Sequence, residues 1–228
     1  MEPIETPPRD VETNSTTRST PAFDRPLDWA IGGVLALLGL LIALGGGVLY
    51  TAVDRPEIAT LIEESEFRSD VLTEAEAIDA VVALAEWGGL GLAAAGVSIV
   101  LIGVAVVVAH GRARRQGRGT PRWVLGVVGA IVNTVLSFIP FSPILGGAAA
   151  SHLSTDREAS GVAAGAFAGL FTIIPALVAL AFVGVGLFTG LPGSTAAAAI
   201  AALVVGALLT IAYIVGLSAL GGYIGRRL

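Results

Sequence analysis

Four windows of this chain, 29–53, 87–109, 161–190 and 195–225, run without a single Asp, Glu, Arg or Lys. A bilayer hydrocarbon core of roughly 30 Å needs about 20 apolar residues per helix, so each window is long enough to cross. Within hydrocarbon every backbone polar group must be satisfied internally, which leaves helices as the form such windows take. Core helices of soluble proteins rarely run this long without a polar face. A fifth window, 123–151, is also uncharged but is interrupted by Pro140 and Pro143. The expected fold class is therefore all-α: a polytopic transmembrane helical bundle with four long spans plus a Pro-broken helical hairpin of two short or re-entrant helices.

The charges that do occur are concentrated between these windows. All 13 basic residues are Arg, none is Lys, and Asp and Glu total 18 in a Gly-, Ala- and Val-rich chain, a balance that hints at a GC-rich, halophilic source. The acid excess does not imply a basic partner, because ten of the 18 carboxylates fall in one segment, 54–86. No cysteine is present, which excludes disulfides and thiolate metal sites.

Segment 1–28 carries five prolines among Thr, Ser and acids and no apolar run, so it reads as a disordered cytoplasmic tail. It lacks the basic start and short apolar core of a signal peptide, and the first window reads as an uncleaved anchor. Residues 29–109 form a two-helix transmembrane hairpin around the acidic extracytoplasmic loop 54–86. Thr73 followed by Glu76 is a capping box that starts a helix running into the second span, and Ile58, Leu61 and Ile62 predict a short amphipathic turn before it. Together these form a small helical cap at the membrane surface; a ligand-sensing role for it would rest on acidity alone. Segment 110–122, with Arg112, Arg114, Arg115, Arg118 and Arg122, reads as an Arg-rich cytoplasmic linker, and no nucleic-acid partner is expected.

The remaining residues, 123–228, form a Gly-rich membrane domain whose topology follows from counting arginines. If 123–153 crossed once, eight Arg would lie inside and five outside; if it enters and returns, the split is eleven against two. The positive-inside rule favours the return. Pro140 and Pro143 remove two backbone donors and push the residues before them out of the α region, so 139–142 should form the turn. The arms, roughly 16 and about 11 residues long, each fall short of the 20 that a span needs.

After a second capping box, Thr155 with Glu158, a helix carries Gly161, Gly165 and Gly169 on one face. Glycines four apart let another helix approach at backbone contact. The returning arm, with Gly146, Gly147, Ala150 and Ser151, is the expected partner. Pro175 should kink this helix, Ser194 should cap the next, and Gly221 and Gly225 close the chain's last span. Gly32, Gly39 and Gly46 in the first window and Gly89, Gly96 and Gly103 in the second repeat every seven residues; they suggest an antiparallel seam, although so glycine-rich a chain can produce such spacing by coincidence.

No catalytic constellation is present: no nucleophile elbow, no paired His at metal spacing, no phosphate loop and no intramembrane acid. No catalytic, metal or cofactor residue is assigned, no cofactor is expected, and the protein reads as no enzyme. His152 reads as an interfacial hydrogen-bonding residue, and His110 as a flank of the Arg segment. Asn133, Thr134, Ser137 and Ser142 form a polar streak. Interhelical hydrogen bonding is its plain reading; a path through Asn133, Ser137, Pro140 and Pro143 beside a broken helix is the sharper one.

The run Ile139-Pro140-Phe141-Ser142-Pro143-Ile144-Leu145-Gly146-Gly147-Ala148-Ala149-Ala150, then a polar turn, then Gly161-Val162-Ala163-Ala164-Gly165-Ala166-Phe167-Ala168-Gly169-Leu170, resembles a haloarchaeal integral-membrane family known only as a domain of unknown function. The resemblance spans about 122–228. It implies an archaeal cytoplasmic membrane and transfers no activity. The expected function is a non-enzymatic membrane scaffold or interaction protein, multi-pass with a cytoplasmic N-terminus, assembled through glycine-rich helix contacts and leaving room for a homo-oligomer. The alternative is a channel or carrier for a small solute or ion that uses the hairpin 123–153. The lipid bilayer is the one partner the sequence requires.

Overall fold

The computed structural model describes residues 25–65, 68–117, 121–154 and 161–227, and among them it contains only helices and their connections. These are α1 (Arg25–Thr51), α2 (Arg55–Glu64), α3 (Glu74–Arg115), α4 (Arg122–Val135), α5 (Ser142–His152), α6 (Gly161–Gly190) and α7 (Gly193–Gly225). Helices α1, α3, α6 and α7 are long and apolar enough to cross a membrane, which makes this a multi-pass membrane protein. The expectations placed on 1–24, on Arg118 and on Thr155 with Glu158 lie outside the described residues.

Glycine sets the register between neighbouring spans. A Cβ at Gly39 would come within 2.5 Å of the Gly96 carbonyl, and one at Gly46 would meet the Gly89 carbonyl at the same distance. Gly32 lies opposite Gly103 and Val107. The glycines spaced by seven in both windows thus meet along one antiparallel seam between α1 and α3, closed to backbone contact. Helix α3 then lies antiparallel to α6, with Gly91 on Ala179, Gly186 on Trp87 and Gly190 on Ala80. Helix α6 in turn lies antiparallel to α7, with Gly165 on Ser218 and Gly169 on Val215. Between lipid-facing helices no hydrophobic drive exists, so this close van der Waals approach is what holds them.

The register also levels the aromatic residues. Trp29, Trp123 and Tyr223 fall near one end of the bundle, and Tyr50 and Trp87 near the other. Along α1, Trp29 and Tyr50 are separated by about 31 Å at 1.5 Å per residue, the thickness of a hydrocarbon core. These amphipathic rings mark the two membrane interfaces. Beyond the first lie Arg112, Arg114, Arg115, Arg122, Arg226 and Arg227; beyond the second lie α2 and the acidic first turns of α3. We refer to these as the arginine end and the acidic end.

Helix α3 carries its charges on extensions of a single rod. Its start is the Thr73–Glu76 capping box: the Thr73 N–H donates to Glu76 Oε2 at 2.8 Å, and the Glu76 N–H donates back to Thr73 Oγ1 at 3.3 Å. The Thr73 backbone N–H, aided by its hydroxyl, holds this extramembrane carboxyl below the usual carboxylate range. At the other end the helix does not stop at 109. It continues to Arg115, so three arginines lie in its last turn, where they face the negative end of the helix dipole. The chain then turns at Gly117, whose φ of 63° suits glycine. His110 is therefore buried on the rod and is no loop residue.

One further expectation is corrected. Helix α7 is capped by Pro192, with no side-chain cap from Ser194; the proline's fixed φ preorganises the start of the helix. Pro175 lies inside α6, whose helical span continues from Gly161 to Gly190 on both sides of it.

A candidate site at the tip of a half-depth hairpin

Helices α4 and α5 are the two arms of the Pro-broken segment, and they lie antiparallel. Gly129 packs on Gly146 and Ala150, and Asn133 bonds Ser142 across the turn. The chain reverses direction within this segment. The reversal takes 136–141, where Leu136 and Ser137 close short turns onto the carbonyls of Val132 and Thr134. Phe141 then adopts φ 65°, ψ 19° and caps α5, with Pro143 in its first turn. A left-handed conformation is costly for a residue with a bulky Cβ. Phe141→Gly should therefore stabilise the hairpin, by about 1 kcal/mol if the full penalty is relieved, seen as a raised melting temperature in detergent.

The hairpin packs through small residues. Gly126 lies on Phe167, Gly129 on Ala168, and Ala150 forms a buried cluster with Ala164 and Ala168 of α6. On the other side, Val124 and Val127 pack with Val106 of α3, and Trp123 sits tilted against Phe171 with ring centroids 6.1 Å apart.

At the inner end of the arms a polar cluster closes on itself. Ser142 Oγ donates to Asn133 Oδ1 at 2.9 Å; Asn133 Nδ2 donates to Thr172 Oγ1 at 3.1 Å; Thr172 Oγ1 donates to the Ala168 carbonyl at 2.9 Å. Asn133 and Ser142 are buried. In a dry interior such groups must be paired, and here each hydroxyl and amide in the chain finds a partner on another turn or helix. The cluster ties the tip of α4, the start of α5 and the middle of α6 into one node.

The four residues proposed as a path differ in exposure. Asn133 and Pro143 are buried, while Ser137 and Pro140 are exposed on the turn; Thr134 is also exposed and donates to its own helix at Ala130. Thr172, which completes the node, escaped the sequence because a lone threonine in a long apolar window carries no spacing signal.

The helix-packing glycines separate as well. Gly161, Gly165 and Gly169 face α7, where a Cβ would run into Gly222, Ser218 and Val215. The returning arm, the expected partner, reaches the same helix beside them, with Ser151 at Gly161 and Ala150 against Ala164 and Ala168, while its Gly146 faces α4 and its Gly147 faces Ser218 of α7. Helix α7 reaches both because its own small residues, Ser218, Gly221, Gly222 and Gly225, occupy adjacent faces of its last two turns. Four residues of α7 thus receive α5 and α6 at once.

The acidic end holds a second concavity. An open cleft of about 510 Å³ lies between α2, the start of α3 and the α6–α7 turn, lined by Arg55, Glu76, Asp79, Glu86, Trp87 and Pro192 among others. Arg55 and Asp79 form an ion pair across it at 2.5 Å, both about half exposed. A pair that open contributes little to stability. The sequence indicated acidity here and nothing of this pair. Among the described residues no group of His, Asp or Glu is arranged to hold a metal ion.

Residues 123–228 match the model of a family of unknown function, DUF5518. No curated protein and no solved structure matches the chain. The match begins at α4 and takes in α5, α6 and α7, leaving α1 to α3 outside it.

Proposed function

We propose that this protein is a non-enzymatic membrane scaffold that works through helix association, with its arginine end in the cytoplasm of a cell whose cytoplasmic membrane it spans. The observation that carries this reading is how the interior is used: its buried positions are mainly Gly, Ala and Val, and the Asn133 node bonds to itself and presents no reactive group. The acid-rich α2 and the start of α3 at one end, against six arginines at the other, support the orientation. Outward association is supported by α7, where Ala198, Ala202, Gly206 and Thr210, four apart, are exposed and a Cβ at Gly206 would meet nothing within 4 Å. Because the chain has no cysteine, Ala202→Cys provides a clean test. Oxidation in membranes should give a crosslinked dimer that Gly206→Leu abolishes; a monomer throughout would remove self-association from the reading.

A second reading, a channel or carrier for a small solute or ion, is favoured by one observation, the broken hairpin with its polar node inside the membrane. Vesicles bearing the protein should leak ions or small solutes no faster than empty ones if it is a scaffold. Flux that changes with Thr172→Val would establish the second reading instead.

A further inference from the structure

The hairpin stops halfway, and the register fixes where. Thr172 of α6, bonded to Asn133, lies level with residue 99 of α3, as the contacts of Gly91 with Ala179 and of Gly186 with Trp87 require. That position is midway along α3 between Trp87 and His110. Arm lengths agree: 14 residues of α4 rise about 21 Å and 11 of α5 about 16 Å, both short of a roughly 30 Å core. The tip ends in hydrocarbon and not in water, since Val135, Phe138 and Phe141 are exposed there, Phe138 to 79%.

The two leaflets therefore meet different bodies. At the arginine end six helices cross the leaflet; at the acidic end four do. With helices spaced about 8–10 Å apart, each takes up roughly 60–90 Å² of membrane, so α4 and α5 displace on the order of 150 Å² more from one leaflet than from the other. Among the described residues no further helix offsets this on the opposite side. Helix α2 is tied to Asp79, about 12 Å beyond Trp87 along α3, and has no buried residue. Exposed Arg112, Arg115, Arg226 and Arg227, with Arg227 stacked on Tyr223, hold the wide end at headgroup level.

We propose that the protein is a membrane wedge: it favours curved bilayers and sits with its arginine-end leaflet on the convex side. A flat bilayer must stretch or compress lipid to fill the hollow beneath the hairpin tip, and curvature toward the acidic end removes that deformation. The inference is independent of whether the protein scaffolds or conducts.

The test uses the full chain with one dye at Asp70→Cys, on the acidic end, in giant vesicles of phosphatidylcholine with some phosphatidylglycerol from which a thin tubule is pulled. An impermeant quencher distinguishes molecules with the acidic end inside from those with it outside. Molecules with the arginine end on the outer face should be enriched in the tubule about twofold over the vesicle, equivalent to about 0.4 kcal/mol, and those of opposite orientation depleted. Equal density for both orientations, or the reverse bias, overturns the proposal. A spin label at Phe138→Cys, an exposed site, checks the premise separately: it should show the high oxygen and low nickel-chelate accessibility of the bilayer centre. An interfacial depth there would also overturn the proposal.

Discussion

Gly165→Leu should abolish the folded state of the C-terminal half, whereas Gly206→Leu, in the same chemistry on the next helix, should leave it intact. A Cβ at Gly165 would overlap the Ser218 carbonyl and approach Gly222 Cα at 3.0 Å, and backbone cannot rotate aside as a side chain can. Helices α6 and α7 would have to separate along their full seam, so the cost should exceed the roughly 1–3 kcal/mol typical of an overpacked core. Separation there also frees α5, because Gly147 shares Ser218 with Gly165. Gly206 lies on the outer surface of the bundle with nothing within 4 Å. Thermal melting in detergent, followed by helix content and monodispersity, distinguishes the two. Equal melting temperatures for Gly165→Leu and the parent would mean the seam does not hold the fold.

Asn133→Leu should have the next largest effect, and its size should depend on what stands at position 142. The single change leaves the Ser142 hydroxyl buried without its acceptor and takes a donor from Thr172, so a loss of about 1–3 kcal/mol is expected. Little room exists for a larger side chain either, since a Cβ on Gly146 would lie 2.8 Å from that of Asn133. Removing the second partner as well, in Asn133→Leu with Ser142→Ala, should recover part of the loss, because an absent hydroxyl has nothing left to satisfy. Additive losses in the double variant would show that the node acts by packing and not by hydrogen bonding. Reversible unfolding in mixed micelles, read at Trp123 beside the hairpin, would measure both.

These sites were unequally legible in the sequence. Charge-free length located α1, α3, α6 and α7, since the bilayer imposes a minimum that no other feature of the chain mimics. Pro140 and Pro143 marked the reversal for an equally local reason, the donors they lack. Partner choice was another matter. A face of Gly161, Gly165 and Gly169 states that some backbone comes close and says nothing of which one; α7 supplies that backbone, and the returning arm, expected there, packs beside it through Ser151 and Ala150. For α1 and α3 the matching spacing of both glycine sets identified the pair, a signal α6 and α7 lack because α7 alternates between two partners. Thr172 and the Arg55–Asp79 pair depended on register between helices, which no single window contains.

The half-depth hairpin also constrains how the chain is assembled as it is made. Arms of 14 and 11 residues are too short to be recognised as spans on emerging from the ribosome, and α4 gains little from α3, which precedes it. Its partner α6 and α5's partner α7 are synthesised afterwards. Until α7 arrives with Ser218 and Gly221, the Gly147 face of the hairpin has no partner and its seat is incomplete. Seating of the hairpin on α7 is then the closing event of assembly, and a chain halted after Gly190 would hold α1, α3 and α6 packed side by side with the Gly147 face of the hairpin still open.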